Sequence, residues 1–337
     1  MDLSVTPRLE VRNAEDAAIA RASSLSTPLT LFDVPVPRDL TQFGQQVLAS
    51  GLGNPLARPV VVLGGISADC FPAEKPDGSP GWWSGLVGEG RAVDPGEVYV
   101  IGMDFAADES GATAPSTVEQ ARILAAALDC LGIRQPAIIV GASYGAMVGM
   151  ALVQADPARV DRLVIVSASA APHPASTAAR ELQRRVVALG LEAGRGEEAL
   201  VIARGMAMLT YRTASEFDQR FEGGIAQAGA LSCSPAGAYL RARGEAFASA
   251  MSPGRFISLS ASIDRHRVHP ERIAAPCLVI GADSDQLVFA HELRQLAAQI
   301  AGPTQLHVLD SIYGHDMFLK ESARVGGIVG PFLAAAG

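Results

Sequence analysis

The clearest candidate for chemistry in this sequence is a serine placed between two glycines. Residues 141–145 read GASYG, so Ser143 has a glycine two positions away on each side. Four apolar residues precede this stretch at 137–140, and a run of small and apolar residues follows it to Met150. This order predicts a strand, a tight turn with Ser143 at its tip, and a helix. The glycines leave room for the close strand and helix, and the helix dipole favours negative charge near the serine.

Acyl transfer by a serine requires a base that removes the hydroxyl proton and a carboxylate that orients the base. His315 lies in a loop after a predicted strand. Asp283 and Asp285 follow an apolar strand at 276–281. Because α/β hydrolases place serine, acid and histidine in this chain order, we predict Ser143 as the nucleophile and His315 as the base. The residues alone do not decide between Asp283 and Asp285 as the acid, since each lies at the carboxyl end of the strand.

The negative charge that develops on a carbonyl oxygen during acyl transfer needs hydrogen-bond donors, and two backbone amides are candidates. One is the amide of Tyr144, directly after the serine. A second apolar strand at 59–63 ends at a pair of glycines, and we predict the amide of Ile66 as the other donor. A plain tight turn between a strand and a helix is the alternative interpretation of this second segment.

Strands and helices alternate along most of the chain, which predicts a parallel sheet covered by helices. A capping box at Ser116 and Glu119 marks the start of a helix at 118–131. A hairpin at 28–51 carries prolines that are tolerated at a sheet edge. The alternation stops between 171 and 269, where the pattern is helical. We therefore predict an α/β-hydrolase fold, with a mostly parallel central sheet, helices on both faces and an inserted helical lid.

The chain divides into three predicted parts. Residues 1–27 form an N-terminal arm, residues 28–170 and 270–337 form the α/β-hydrolase core domain, and residues 171–269 form a helical lid subdomain. The lid lies between the strand after the nucleophile and the strand that carries the acid. Insertions at this position cover the site and commonly determine which substrate enters it.

Composition and charge restrict the class of partner. The 337 residues are 49% hydrophobic and 18% charged, which excludes a disordered chain, and the formal net charge is -8. Neither a basic stripe nor a Lys/Arg-rich run is present, so neither nucleic acid nor an anionic membrane is an expected partner.

The four cysteines form no CxxC pair and no metal-ligand spacing is present, so we expect free thiols, no metal and a cytoplasmic location. The N-terminus does not resemble a secretory signal, and no apolar run approaches membrane-spanning length.

The sequence VGASYGAMVGM around Ser143 is accompanied by three other distinctive blocks. They read LTYRT at 209–213, SDQLV at 284–288 and YGHDMFL at 313–319. Together these blocks resemble the homoserine O-acyltransferases of the α/β-hydrolase superfamily, which transfer acetyl or succinyl groups. The likeness covers about residues 58–325, and the two blocks around the arginine and the histidine are more specific than the serine block.

The resemblance implies that Ser143 accepts an acyl group from an acyl-CoA, with His315 as the base and Asp285 as the acid. The hydroxyl of homoserine then attacks the acyl-serine, which is a ping-pong reaction of methionine biosynthesis. Arg212 would bind the amino-acid carboxylate and Asp316 its ammonium group. Their structural alternatives are a salt bridge within the lid for Arg212 and a helix N-cap for Asp316. Acyl-CoA is thus a co-substrate, no permanently bound cofactor is implied, and a homodimer through the lid is a family expectation.

The identity of both substrates stays open at this level. The donor is acetyl-CoA or succinyl-CoA, and Arg184 or Arg185 on the first lid helix would either neutralise a succinyl carboxylate or belong to a solvated face. The acceptor is homoserine, serine or another hydroxy-amino acid. The chain departs from many family members at Tyr144 and Ala146, and it looks similar to a shorter branch of the family that is linked to succinyl transfer or to other hydroxy-amino acids. With water as the acceptor the protein would be a serine esterase or thioesterase. If it catalysed no reaction, the protein would be a binding module with an α/β-hydrolase fold.

Overall fold

The structure is a computed structural model, and it describes residues 11–13, 28–221, 223 and 234–335 of the chain. The described strands form one nine-stranded sheet. They are β1 (Val11–Asn13), β2 (Leu29–Pro35), β3 (Gln46–Leu52), β4 (Pro59–Leu63), β5 (Tyr99–Met103), β6 (Ala137–Ala142), β7 (Val160–Val166), β8 (Cys277–Ala282) and β9 (Thr304–Leu309). Across the sheet they are ordered β1-β2-β3-β5-β4-β6-β7-β8-β9. Pairing is antiparallel from β1 to β5 and parallel from β5 to β9, so the predicted fold class is confirmed.

Helices cover the sheet and build the segment between β7 and β8. They are α1 (Thr117–Cys130), α2 (Tyr144–Ala155), α3 (Pro174–Glu192), α4 (Gly196–Tyr211), α5 (Ala214–Arg220), α6 (Pro235–Ala248), α7 (Pro253–Asp264), α8 (Ala290–Gln299), α9 (Met317–Lys320) and α10 (Ser322–Ala334). Short 3-10 helices occur at Arg38–Phe43, Pro157–Arg159, Pro270–Arg272 and Gly314–Asp316. In the described part of the chain, none of the helices has the length and apolar character needed to cross a membrane.

The central strands are buried on both faces because helices pack against each side of the sheet. In β4 every residue is buried. Val61 and Leu63 belong to one hydrophobic cluster, whereas Val60 and Val62 belong to the cluster on the opposite face. The alternation of side chains along a strand produces this division, and it explains why the central strands read as continuous apolar runs.

Local sequence signals are visible at the helix that precedes the serine turn. The Ser116 hydroxyl accepts a hydrogen bond from the Glu119 amide at 3.2 Å, and the Glu119 carboxylate accepts one from the Ser116 amide at 2.6 Å. The predicted capping box is therefore confirmed, and α1 begins at Thr117. Such reciprocal bonds satisfy amide groups that the first turn of a helix leaves unpaired.

Three local expectations need correction. The hairpin strand β2 is not the edge of the described sheet, because β1 pairs outside it, and a 3-10 helix at Arg38–Phe43 replaces the turn that the sequence predicts near Arg38 and Asp39. The pattern at 318–333 predicts a single closing helix, which the structure divides into α9 and α10 at Glu321. The helices that the pattern predicts at 176–189, 197–209, 214–221 and 239–250 leave out α7, although Ser252 caps this helix and Pro253 opens it, which is a recognisable start signal. The division into arm, core and lid stays a prediction, and most of residues 1–27 lie outside the described residues.

Candidate active site

The turn that carries Ser143 has the geometry that its sequence requires. Ser143 has a φ of 52° and a ψ of -118°, a backbone conformation that residues other than glycine rarely adopt. A Cβ added at Gly141 would lie 2.4 Å from the Cα of Ala146, and one at Gly145 would lie 2.3 Å from the carbonyl oxygen of Leu63. Both contacts are with backbone, which cannot move aside locally. The two glycines are therefore needed for the strand and the helix to approach each other at this serine.

A continuous line of hydrogen bonds joins the serine to a buried carboxylate. The Ser143 Oγ lies 2.9 Å from the Nε2 of His315, and the Nδ1 of His315 lies 2.8 Å from the Oδ2 of Asp285. The other carboxylate oxygen accepts hydrogen bonds from the amides of Leu287 at 2.8 Å and Val288 at 3.1 Å. These bonds fix the carboxylate, and the carboxylate fixes the orientation of the imidazole. The arrangement can remove a proton from the serine hydroxyl.

The structure distinguishes the two aspartates that the sequence left equivalent. Asp283 accepts a hydrogen bond from the backbone amide of Ser311 at 3.2 Å, and it makes no bond to His315. Asp285 is 2% exposed and contacts the imidazole directly. Asp283 therefore joins the loop after β9 to the end of β8, whereas Asp285 is the partner of the histidine.

The protonation of His315 depends on opposing effects. Burial disfavours the charged imidazolium, but the charge of Asp285, the hydrogen bond to it and the nearby charge of Asp316 outweigh burial. The pKa of His315 is consequently raised above its ordinary value. A raised pKa makes the imidazole a better acceptor for the serine proton, because the ion pair formed with Asp285 is stabilised.

Two backbone amides next to the serine are available to a ligand. Neither the amide of Ile66 nor that of Tyr144 donates a hydrogen bond to another described residue. Tyr144 is the first residue of α2, so its amide also lies at the positive end of that helix. Ile66 lines the cavity in front of Ser143. Amides placed in this way can stabilise a carbonyl oxygen that becomes negative.

The side chain of Tyr144 connects the serine turn to the helical segment. It is fully buried, its hydroxyl is hydrogen-bonded to the hydroxyl of Ser262 in α7, and its ring meets the edge of Phe105 at 4.7 Å between centroids. Burial raises the pKa of the Tyr144 phenol, so it stays neutral. The tyrosine therefore has a packing and anchoring role in addition to the position of its amide.

The predicted substrate-binding residues Arg212 and Asp316 are brought together, but only one of them lines the cavity. The Nε of Arg212 lies 3.3 Å from the Oδ2 of Asp316, and the Nη1 donates a 2.7 Å hydrogen bond to Glu216. Asp316 lines the cavity and Arg212 does not. The alternative of a salt bridge for Arg212 is thus present in the structure, whereas Asp316 makes no side-chain capping bond to α9. Direct binding of a substrate by Arg212 stays a prediction.

The cavity in front of Ser143 is bounded by the sheet end and by the helices α3 and α4. Its walls include Gly65, Ile66, Trp82, Met147, Gln183, Tyr211, Leu287 and Phe318. Two arginines, Arg180 and Arg204, also line it. Arg184 binds Asp264 and Arg185 binds Glu181, so neither of the arginines considered from the sequence faces the cavity.

The two tryptophans have different surroundings. Trp83 is 1% exposed, and its indole nitrogen donates a 3.0 Å hydrogen bond to the carbonyl of Phe318. It therefore packs its loop against α9. Trp82 stacks on it at 5.2 Å between centroids and lines the cavity, where it forms an aromatic wall.

Sequence reasoning did not assign any role to Glu216 or Arg204. Glu216 lies only four residues after Arg212, and opposite charges this close in the chain are a recognisable sign of an ion pair, although Arg212 lies between α4 and α5 and only Glu216 is helical. No comparable signal marks Arg204, because its position in the cavity depends on how α4 packs. Among the residues that the structure describes, no group of three or more His, Cys, Asp or Glu side chains is placed to hold a metal ion.

Comparison with known proteins identifies the family of this chain. Residues 59–322 match a family described as alpha/beta hydrolase fold. The chain is 38% identical to homoserine O-succinyltransferase of Xanthomonas campestris, over 85% of this chain and 78% of that protein. The chain belongs to the homoserine O-acyltransferase family. A second member, homoserine O-acetyltransferase of Thermus thermophilus, is 32% identical over 78% of this chain and 74% of its own length.

Solved structures agree on the fold. Homoserine O-acetyltransferase from Bacillus anthracis superposes with a TM-score of 0.78 and 15% identity, covering 86% of this chain and 92% of that chain. Esterase E22 superposes with a TM-score of 0.79 and 19% identity, covering 91% of this chain and 100% of that chain. An acyltransferase and an esterase thus share the architecture of this family member to the same extent. The fold alone does not distinguish transfer to an alcohol from transfer to water.

Proposed function

We propose that this protein is an acyl-CoA-dependent homoserine O-acyltransferase of methionine biosynthesis, with acetyl-CoA or succinyl-CoA as the donor. The observation that carries the proposal is the hydrogen-bonded line from Ser143 through His315 to Asp285. Ser143, at one end of this line, lines a cavity that is also lined by the carboxylate of Asp316. Family membership supports the same conclusion, because the two relatives named above are homoserine acyltransferases. Acyl-CoA is a co-substrate in this proposal, and no permanently bound cofactor takes part.

In the first half-reaction, the Nε2 of His315 accepts the proton of the Ser143 hydroxyl while Oγ attacks the thioester carbonyl. The amides of Ile66 and Tyr144 donate hydrogen bonds to the oxygen, which becomes negative. The carbon–sulfur bond then breaks, and the coenzyme A thiol leaves with the proton held by His315. An acyl ester on Ser143 remains.

In the second half-reaction, His315 accepts the proton of the homoserine hydroxyl, whose oxygen attacks the acyl-serine. The same amides stabilise the tetrahedral intermediate, and the Ser143 oxygen leaves with the proton from His315. Asp316 pairs with the α-ammonium group of the acceptor. Arg212 holds Asp316 in place and, in the role that the resemblance gives it, contributes to binding the α-carboxylate.

An esterase or thioesterase with the same triad is the second candidate function, and a serine O-acyltransferase is the third. The carboxylate of Asp316 in the cavity favours an acceptor with an ammonium group over water, because water has no group that such a carboxylate would recognise. Homoserine and serine both carry this group and differ by one methylene, so the cavity residues alone favour neither.

We also propose that two copies associate through the outer face of α3 and α4. Leu182 and Leu189 on α3 are 59% and 66% exposed, and Ile202 and Leu209 on α4 are each 53% exposed. Each pair is seven residues apart, which places its members on one side of a helix. Exposed apolar stripes of this kind mark interaction surfaces. Light scattering on the Leu182→Glu/Leu189→Glu double variant tests this, and a monomeric wild type would contradict it.

The function is tested by measuring free coenzyme A with purified protein, crossing acetyl-CoA and succinyl-CoA against homoserine, serine and water. Homoserine-dependent release by the wild type, abolished in Ser143→Ala, is the expected result. Circular dichroism of Ser143→Ala controls for folding. Equal release with water alone would replace the transferase by a hydrolase, and undiminished activity of Ser143→Ala would end the acyl-serine mechanism.

A further inference from the structure

Arg204 differs from the other charged side chains around the cavity because it has no ionic partner among the residues that the structure describes. It lies half-buried on α4 and lines the same cavity as Ser143 and His315. No hydrogen bond or ion pair joins its guanidinium group to any residue in the described part of the chain. The guanidinium carbon instead lies 4.7 Å from the ring centre of Phe247 and 5.3 Å from that of Tyr211. These cation–π contacts hold the group without using its N–H donors.

The neighbouring arginines are already paired. Asp264 pairs with both Arg180 and Arg184, each at 2.7 Å. Arg212 pairs with Glu216 at 2.7 Å. One carboxylate therefore serves two guanidinium groups on the α3 side, and of these two only Arg180 lines the cavity. A half-buried cation that lacks a protein carboxylate can obtain its counterion from a ligand.

We propose that Arg204 binds a carboxylate of a substrate within the cavity. The proposal rests on the proposed function, since it takes the ligands from the two half-reactions. A planar guanidinium presents parallel N–H donors that match both oxygens of a carboxylate, and the two aromatic rings restrict its orientation. The site therefore selects for a substrate with a carboxylate over a neutral isostere of the same length.

Two substrates of the proposed reaction can supply this group. One is the free carboxylate at the far end of a dicarboxylic acyl group, as in succinyl-CoA. The other is the α-carboxylate of the amino-acid acceptor, because Arg212 does not line the cavity and already pairs with Glu216. The chemistry that Arg204 recognises is the same in both cases, and kinetics with matched substrates separate them.

The experiment compares the wild type with Arg204→Met, which keeps an unbranched apolar stem against Phe247 and Tyr211 but removes the charge. Donors are succinyl-CoA and butyryl-CoA, which have acyl chains of equal length with and without a carboxylate. Acceptors are homoserine and 2-amino-1,4-butanediol, its analogue without a carboxylate. Arg185→Met is the matched control, because Arg185 is an exposed arginine of α3 that pairs with Glu181.

Loss of a charge-assisted bidentate pair predicts a fall in kcat/KM of about 10- to 100-fold for the substrate that supplies the carboxylate. A fall with succinyl-CoA but not with butyryl-CoA assigns the group to the acyl chain. A fall with homoserine but not with the amino alcohol, whatever the donor, assigns it to the acceptor. Arg204→Lys is expected to recover part of the loss, and Arg185→Met to resemble the wild type. Equal losses with all four substrates, or none, would overturn the proposal.

A binding measurement separates this proposal from the proposed reaction. The chain contains two tryptophans and Trp82 lines the cavity, so intrinsic fluorescence reports ligand entry in Ser143→Ala. Titration with succinate and with homoserine is compared with titration with neutral succinamide. Binding of at least one carboxylate that is lost in Ser143→Ala/Arg204→Met supports the role of Arg204 even if the wild type transfers no acyl group. Binding that is unaffected by the Arg204 substitution would refute it.

Discussion

The Nη1 of Arg212, between α4 and α5, donates a 2.7 Å hydrogen bond to the Oε1 of Glu216 in α5, and both side chains are buried. The same arginine faces Asp316, which lines the cavity. Glu216 is only 2% exposed, so the ion pair with Arg212 forms at a cost in desolvation of both groups. We therefore propose that the carboxylate is a positioning residue, which holds the guanidinium so that Asp316 keeps its orientation towards the amino-acid substrate of the proposed reaction.

Glu216→Gln is expected to raise the KM for homoserine by about 10-fold while leaving the first half-reaction, release of coenzyme A by acylation, nearly unchanged. Removing one partner of a buried ion pair also predicts a loss of stability of about 3 kcal/mol. Steady-state kinetics and urea unfolding measure the two effects. Glu181→Gln, which breaks an exposed pair with Arg185, is the control and should change neither quantity measurably. An unchanged KM in Glu216→Gln would contradict the positioning role.

Asp285→Asn is expected to lower kcat by about 10³- to 10⁴-fold, because an amide in place of the carboxylate neither fixes the required tautomer of His315 nor stabilises its imidazolium form. Single-turnover release of coenzyme A measures this step directly. Asp283→Asn provides the matched comparison on the same loop, since the Asp283 side chain accepts a hydrogen bond from the Ser311 amide and makes none to His315. A larger loss in Asp283→Asn than in Asp285→Asn would show that the wrong aspartate has been assigned.

The rate of acylation is expected to rise with pH as His315 loses its proton, because only the neutral imidazole can act as a base. The charge of Asp285 raises the pKa of His315, so the midpoint of this rise should lie above the ordinary value of 6.5. In Asp285→Asn the residual activity should show a midpoint at lower pH, since burial then acts without the compensating charge. A midpoint that does not move between the two proteins would argue against Asp285 as the source of the shift.

Acid is expected to destabilise the fold through His266. This side chain is 2% exposed, its Nδ1 lies 2.9 Å from the Thr117 hydroxyl, and burial lowers its pKa to about 4. Because the folded state holds the neutral form, the unfolded state binds more protons below pH 6.5, and stability falls as the pH is lowered towards 4. The loss from this group amounts to roughly 3 kcal/mol over that window. Urea unfolding at several pH values should give a smaller pH dependence for His266→Gln, and an identical dependence would contradict the assignment.

Much of this architecture could be predicted because its signals are local. The capping box at Ser116 and Glu119 and the glycines at 141 and 145 act within a few residues, and the apolar run of β4 reflects burial on both faces. The order of serine, acid and histidine is a property of the chain as well. For these features the sequence contains the physical cause itself.

Other features depend on packing between distant elements. Asp283 and Asp285 lie at the same strand end, and only the direction of each side chain in the folded loop determines which one meets His315. Within the described residues, Arg204 has no ionic partner and Arg212 does not line the cavity, and both are likewise results of how the helices between β7 and β8 pack. Neither periodicity nor spacing contains this information, because it concerns distances between residues far apart in the chain.

Residues of helix α7 and of the segment just after it contact three other helices, α1, α2 and α3. Ser262 bonds Tyr144 beside the nucleophile, and Asp264 at its end pairs with Arg180 and Arg184 of α3. Immediately after it, His266 contacts the first turn of α1. A tilt of α7 would therefore disturb the serine turn and one arginine of the cavity together. Substitutions in α7 that never touch a substrate should change turnover and substrate selection jointly, so this helix is a poor place to alter one without the other.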